Sequence, residues 1–81
     1  MNGLIKADRW EVKEEGGERS IQLFDENDNK IRGEDAFWEG DFHCSEKQLT
    51  SLTGAPRIVR GGFSCSGNQL TSLTGAPQVV G

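Results

Sequence analysis

The chain has 81 residues, a third of them hydrophobic and 27% charged, with a net charge of −4. That length makes one small domain with a thin core. The acidic balance argues against binding nucleic acid through its phosphates, and apolar runs of three or four residues are far too short to span a membrane.

The amino-terminal stretch "MNGLIKADRW" has neither the apolar core nor the small-residue cleavage site of a secretory signal, so a cytoplasmic protein is expected. Strand patterning begins with "RWEVK", which alternates Trp10 and Val12 toward one side. "EEGGE" turns the chain, "RSIQLF" points Ile21 and Leu23 inward, "DENDN" turns again and "KIRG" supplies a third strand through Ile31. Residues 1–36 therefore read as a small antiparallel β-meander. Its expected role is to cover the first open edge of whatever follows, with Trp10 and Trp38 anchoring the junction.

Residues 37–81 have a different organisation. Shifting the sequence by 21 residues lays "FHCSEKQLTSLTGAPRIVR" (42–60) over "FSCSGNQLTSLTGAPQVVG" (63–81), with 13 of 19 positions identical. An apolar pair recurs three times at that spacing, as Phe37–Trp38, Ile58–Val59 and Val79–Val80. A fixed period of this length with regular apolar positions is the signature of a solenoid. Within a copy, Phe63 and Cys65 alternate with Ser64 and Ser66 as in a short strand, and Leu70 and Leu73 turn inward. "TGAP" then breaks the chain, and stacked copies would align their strands in parallel.

The segment Phe63-x-Cys-x-x-Asn-x-Leu70 resembles the leucine-rich-repeat pattern, with Phe and Cys in two of the Leu positions. The longer phrase "GDFHCSEKQLTSLTGAP…VRGGFSCSGNQLTSLTGAPQVVG" is similar to short leucine-rich repeats of bacteriophage-encoded proteins. The resemblance covers residues 37–81 and implies a mainly β chain, a meander cap followed by about two repeat coils. It also implies that Asn68 hydrogen-bonds the turning backbone of neighbouring coils. Lys47 stands at that position in the first copy, which limits such a ladder to one rung.

Cys44 and Cys65 occupy equivalent positions, and His43 is the one histidine. Stacking could bring the thiols close enough for a disulfide, but two small buried thiols suit a cytosolic chain better, and no metal-ligand spacing is present. Asp25, Asn27 and Asn29 fall on the first positions of a calcium loop. Lys30 stands where a Gly is needed, however, and Ala36 where a bidentate Glu is needed. Local side-chain hydrogen bonds in a polar turn explain the same residues. No cofactor is expected. Adjacent strand residues face opposite ways, so His43 and Cys44 form no dyad, and Ser64 and Ser66 have no histidine in their own copy. With no cleft evident either, the chain reads as non-enzymatic.

Charge is unevenly placed. Residues 1–41 carry twelve acids and six bases, net −6, whereas residues 42–81 carry one acid and three bases, net +2. The acids concentrate at Asp25, Glu26, Asp28, Glu34, Asp35, Glu39 and Asp41, an acidic surface fit for a basic groove that normally holds phosphates. The outward strand residues His43, Ser45, Ser64 and Ser66 form a second candidate surface, together with Asp41 and Gly62.

The expected function is that of a protein-binding inhibitor. With the phage resemblance, it would be an anti-defence protein of the anti-CRISPR kind, acting in the host cytoplasm. It would block a nucleic-acid-binding complex by DNA mimicry. A general leucine-rich-repeat interaction module, or a self-assembling structural one, is the alternative. The carboxy-terminal end around Phe63, Leu70, Leu73, Val79 and Val80 lacks a polar cap, so a homodimer or a partner's edge is expected to cover it.

Overall fold

A computed structural model describes residues 3–70 and 75–80, and the fold is mainly β. Among the described residues nine strands follow in order: β1 Ile5–Ala7, β2 Arg9–Glu15, β3 Glu18–Phe24, β4 Lys30–Ile31, β5 Ala36–Trp38, β6 Phe42–His43, β7 Ile58–Val59, β8 Phe63–Ser64 and β9 Val79–Val80. A three-residue 3-10 turn at Gly33–Asp35 is the one helical element among the described residues. No helix there is long and apolar enough to cross a membrane.

Strands β2, β3 and β4 form an antiparallel sheet in that order, the meander read from the alternation. Gly16 and Gly17 join β2 to β3 with both φ values positive, the geometry of a two-residue hairpin whose twist matches its strands. Ile21, Leu23 and Ile31 are buried, while Trp10 and Val12 are half-buried against them.

The repeated part pairs in parallel. Phe37 stands beside Ile58 and Ile58 beside Val79, so each step across the sheet is a step of 21 residues along the chain. Phe42 and Phe63 are likewise partners in a second, two-stranded parallel sheet, β6–β8. Parallel neighbours need a crossover of a dozen or more residues, and the rest of each copy supplies it. Leu49, Leu52 and Ala55 of the first copy are buried in its crossover, and Val59 is buried on β7 itself.

One strand departs from the expected division. Residues 1–36 are not antiparallel throughout: β1 pairs with β5 in parallel, Ile5 opposite Ala36, and heads the sheet β1-β5-β7-β9. Three residues with no counterpart in the repeat thus cover its first edge. A backbone in extended conformation can join either kind of ladder, and the three residues Ile5–Ala7 are too few for their pattern to announce which.

The meander meets the first copy end-on. Thr50 N–H donates to Arg19 O at 2.9 Å, Arg19 N–H donates to Thr50 Oγ1 at 3.0 Å, and Ile21 N–H donates to Thr53 O at 3.0 Å. Gly54 permits the approach, since it has φ of +92° and a Cβ there would run into the Ile21 carbonyl. Beneath this contact, fully buried Phe42 meets Trp10 at 5.3 Å, Trp38 at 4.9 Å and Phe63 at 5.9 Å between ring centroids. Trp10 and Trp38 both reach the junction, and a phenylalanine joins them.

Cys44 is fully buried with its thiol directed at Ser64 O, and Cys65 is half-buried; both are free. Burial pushes the Cys44 thiol up to about 11, with the Cys65 sulfur adding a smaller repulsive contribution. At the far end Phe63 and Leu70 are half-buried, and Val79 and Val80 are exposed on β9. Leu73 lies outside the described residues.

Candidate functional site

The acidic residues do not behave as one group. Asp25 turns back on its own loop: Oδ1 accepts from the N–H groups of Asn27 and Asn29 at 2.9 Å, and Oδ2 accepts from Asn29 Nδ2 at 3.4 Å. The Asn29 backbone N–H is the main cause holding this carboxyl below the ordinary aspartate range. These bonds let the turn from β3 to β4 close with Asp28 at φ of 65°.

Asp28 is placed by that turn against Arg9 at 2.8 Å, and Arg9 also bonds Glu11 at 2.6 Å while covering the Phe24 ring at 4.1 Å. Asp28, and after it Glu11, raises the Arg9 guanidinium above its usual value. Glu34 and Asp35 both reach Arg32, at 3.2 and 3.3 Å. Asp41 has a structural role, with Oδ1 accepting the Gly62 N–H of the next copy at 2.7 Å. Glu26 and Glu39 are exposed and make no side-chain hydrogen bond or ion pair among the described residues. The seven carboxylates therefore separate into two that fold the chain, three in exposed ion pairs and two that stand alone. Exposed pairs of this kind contribute about 0–1 kcal/mol, little enough for a partner's cations to exchange into.

The strand-face residues are brought together by the β6–β8 pairing, which sets His43 directly beside Ser64. Ser45 and Ser64 are half-buried and share a hydrogen bond at 2.7 Å, and Ser66 Oγ reaches Ser45 Oγ at 3.3 Å. His43 is exposed, with Nε2 3.9 Å from Asp41 Oδ2. Aspartate, histidine and serine thus share one face, which the separation of the two copies in sequence had concealed. They make no nucleophile–base contact, because Ser64 is engaged by Ser45 and no serine bonds His43 among the described residues. Beside His43 lies a hollow of about 270 Å³ lined by Trp10, Glu11, Val12 and Lys47.

Contrary to the expected absence of a cleft, a groove of about 820 Å³ opens where the meander meets the repeat turns. Ile21, Ile31 and Ala55 contribute apolar lining, with Lys13, Lys30, Arg32 and Arg57 around them and Glu34 and Asp35 on the same wall. Arg57 Nε is bonded to Gln78 Oε1 at 3.1 Å. The sequence hid this groove because its walls come from β3, β4 and the turns at Gly33, Gly54 and Gly75, joined only by folding. The 21-residue spacing of those three glycines was the available signal.

Compared with protein families, with curated proteins and with solved structures, the chain matches none.

Proposed function

We propose that this protein is a non-catalytic binding module of the short leucine-rich-repeat type, and that its acidic end docks on a basic protein surface of the kind that holds nucleic acid. The repeat reading is supported by the 21-residue offset of the parallel strands and by Asn68. That side chain accepts from Lys47 N–H at 2.9 Å and Leu49 N–H at 3.0 Å, and donates to Cys44 O at 2.8 Å and Cys65 O at 3.0 Å. One amide thereby joins the two copies, the role that the resemblance assigns to it. Lys47 takes part through its backbone alone.

The single observation behind the docking reading is the charge imbalance over residues 25–41. Seven acids face two bases there, and Glu26, Glu34 and Glu39 remain exposed. Carboxylates so placed can occupy the positions of phosphates in a basic channel, which makes such a protein an inhibitor of nucleic-acid binding. With the phage-like repeat, the target class is a host defence complex, met in the host cytoplasm.

The test is competition. Added protein should displace DNA from such a complex, more weakly as salt rises. The triple variant Glu26→Lys, Glu34→Lys, Glu39→Lys should lose the effect while keeping its fold, since none of the three carboxylates is a structural cap. Inhibition that survives this change and is indifferent to salt would remove the mimicry mechanism. A second reading, binding through the repeat face, is favoured by the hollow beside Trp10 and His43, because aromatic residues anchor interfaces. It predicts loss of binding in His43→Ala and Lys47→Glu and none in the triple variant.

A further inference from the structure

The groove between the meander and the repeat turns carries the reverse charge of the chain around it. Its described lining sets Lys13, Lys30, Arg32 and Arg57 against Glu34 and Asp35, net +2 in a chain of net −4. Both acids engage Arg32. Lys13 lies 3.6 Å from Glu15, whereas Lys30 and Arg57 have no carboxylate at ion-pair distance among the described residues.

The surface among these cations is firmly held. Ile21, Ile31 and Ala55 line it and are buried. Main chain forms part of its walls: a Cβ on Gly33 would run into Ala55 O, one on Gly54 into Ile21 O and one on Gly75 into the Leu52 carbonyl, so each turn is locked against its neighbour. Arg57 is fixed in the same way. Its N–H donates to Gly33 O at 2.9 Å and Ala36 O at 3.0 Å, and its Nε donates to Gln78 Oε1 at 3.1 Å, which leaves both Nη groups for a ligand. Ser20 also lines the groove. It is the one buried polar residue among those described, and its hydroxyl makes no hydrogen bond with them.

We infer that this groove binds a small organic dianion, its oxygens held by Arg57, Lys30 and the Ser20 hydroxyl and its short aliphatic body lying over Ile21, Ile31 and Ala55. Charge complementarity sets the sign, and the two unpaired cations set the number of charges. A volume of about 820 Å³ is that of a small-molecule site. No aromatic side chain is among the described lining residues, so a nucleobase has nothing to stack on there. Carboxylate and phosphate oxygens both suit guanidinium and ammonium donors, so either can supply the negative ends. The site is separate from the proposed docking function: Glu26 and Glu39 are not among its lining residues, and Glu34 is paired with Arg32.

The test is a titration of the isotope-labelled protein at low salt, read from backbone amide shifts. Glutarate carries two carboxylates and propyl phosphate one phosphate on an aliphatic body. One or both should move the amides of Ile21, Ile31, Ala55 and Arg57, and the tighter of the two names the oxyanion. Neutral glutaramide should move none of them, and inorganic phosphate should bind several-fold more weakly than the better organic probe. Lys30→Gln and Arg57→Gln should each weaken binding about tenfold, and Ser20→Ala about threefold. Lys6→Gln, outside the groove, should change nothing. Arg57→Lys should recover part of the affinity, which separates loss of the charge from loss of the fold. Absence of these shifts with both dianions at about 10 mM would overturn the proposal. So would an affinity unchanged in both Lys30→Gln and Ser20→Ala, or inorganic phosphate binding as tightly as the organic probes.

Discussion

The meander and the repeat solve the problem of a small core in different ways. Residues 9–31 form a local structure, in which β2 and β3 pair over seven residues across a two-glycine turn. The repeat gains almost nothing locally: its strands are two or three residues long, and each finds its partner about 21 residues away. What holds it is the burial of Phe42, Leu49, Leu52 and Val59, together with the bonds that Asn68 makes across copies. A short strand is acceptable when side chains beneath it, and not its own ladder, supply the stability.

The sharpest way to break the distinction is Phe42→Ala, because that ring touches both Trp10 of the meander and Phe63 of the second copy. Loss of a buried aromatic should cost about 3–5 kcal/mol, enough to unfold both regions together in urea. Separate transitions by tryptophan fluorescence and circular dichroism would show that the meander stands without the repeat.

Asn68→Ala comes next. It leaves two N–H groups and two carbonyls unpaired between the copies, a loss on the order of 3 kcal/mol in urea denaturation. The β2–β3 amides should keep their hydrogen-exchange protection relative to those of Leu49 and Gln69. Equal loss everywhere would mean that the two regions are one cooperative unit.

Glu46→Gly compares the copies with each other and should stabilise. Glu46 sits at φ of 57°, where the second copy has Gly67 at 74°. Relief of a left-handed non-glycine residue is worth about 1 kcal/mol, read as a higher urea midpoint. The reverse change, Gly67→Ala, should destabilise, since a Cβ there meets the Glu46 side chain as well.

The smallest expected effect is a pH dependence of the β3–β4 turn. Asp25 is held below its ordinary value, so the folded turn takes up a proton less readily than the unfolded chain. Its contribution is present above about pH 3.9 and is lost as the pH falls through the folded value. Asp25→Asn should remove that dependence from the exchange rates of Asn27 and Asn29, whose N–H groups it binds.

The candidate site was legible in parts. Residues 25–41 stood out as acidic because composition survives folding, and polar turns stay at the surface. Which of those acids are engaged did not show, because Asp41 holds Gly62 in the next copy and Asp28 pairs with Arg9 on another strand. His43 beside Ser64, and the groove between Lys13, Lys30 and Arg57, arise from contacts between segments that sequence separation conceals.

By itself the sequence determined the meander, the 21-residue period, the parallel partners it implies and the inward positions of Ile21, Leu23 and Ile31, since alternation, spacing and turn residues are local properties of the chain. The tertiary structure decided the rest. It sent β1 to the edge of the parallel sheet, made Phe42 the contact between two tryptophans, and left Val79, Val80 and Ile5 at opposite ends of one ladder. A three-residue extended segment has no preference of its own for parallel or antiparallel pairing, so only the edge available to it in the folded molecule could settle its place.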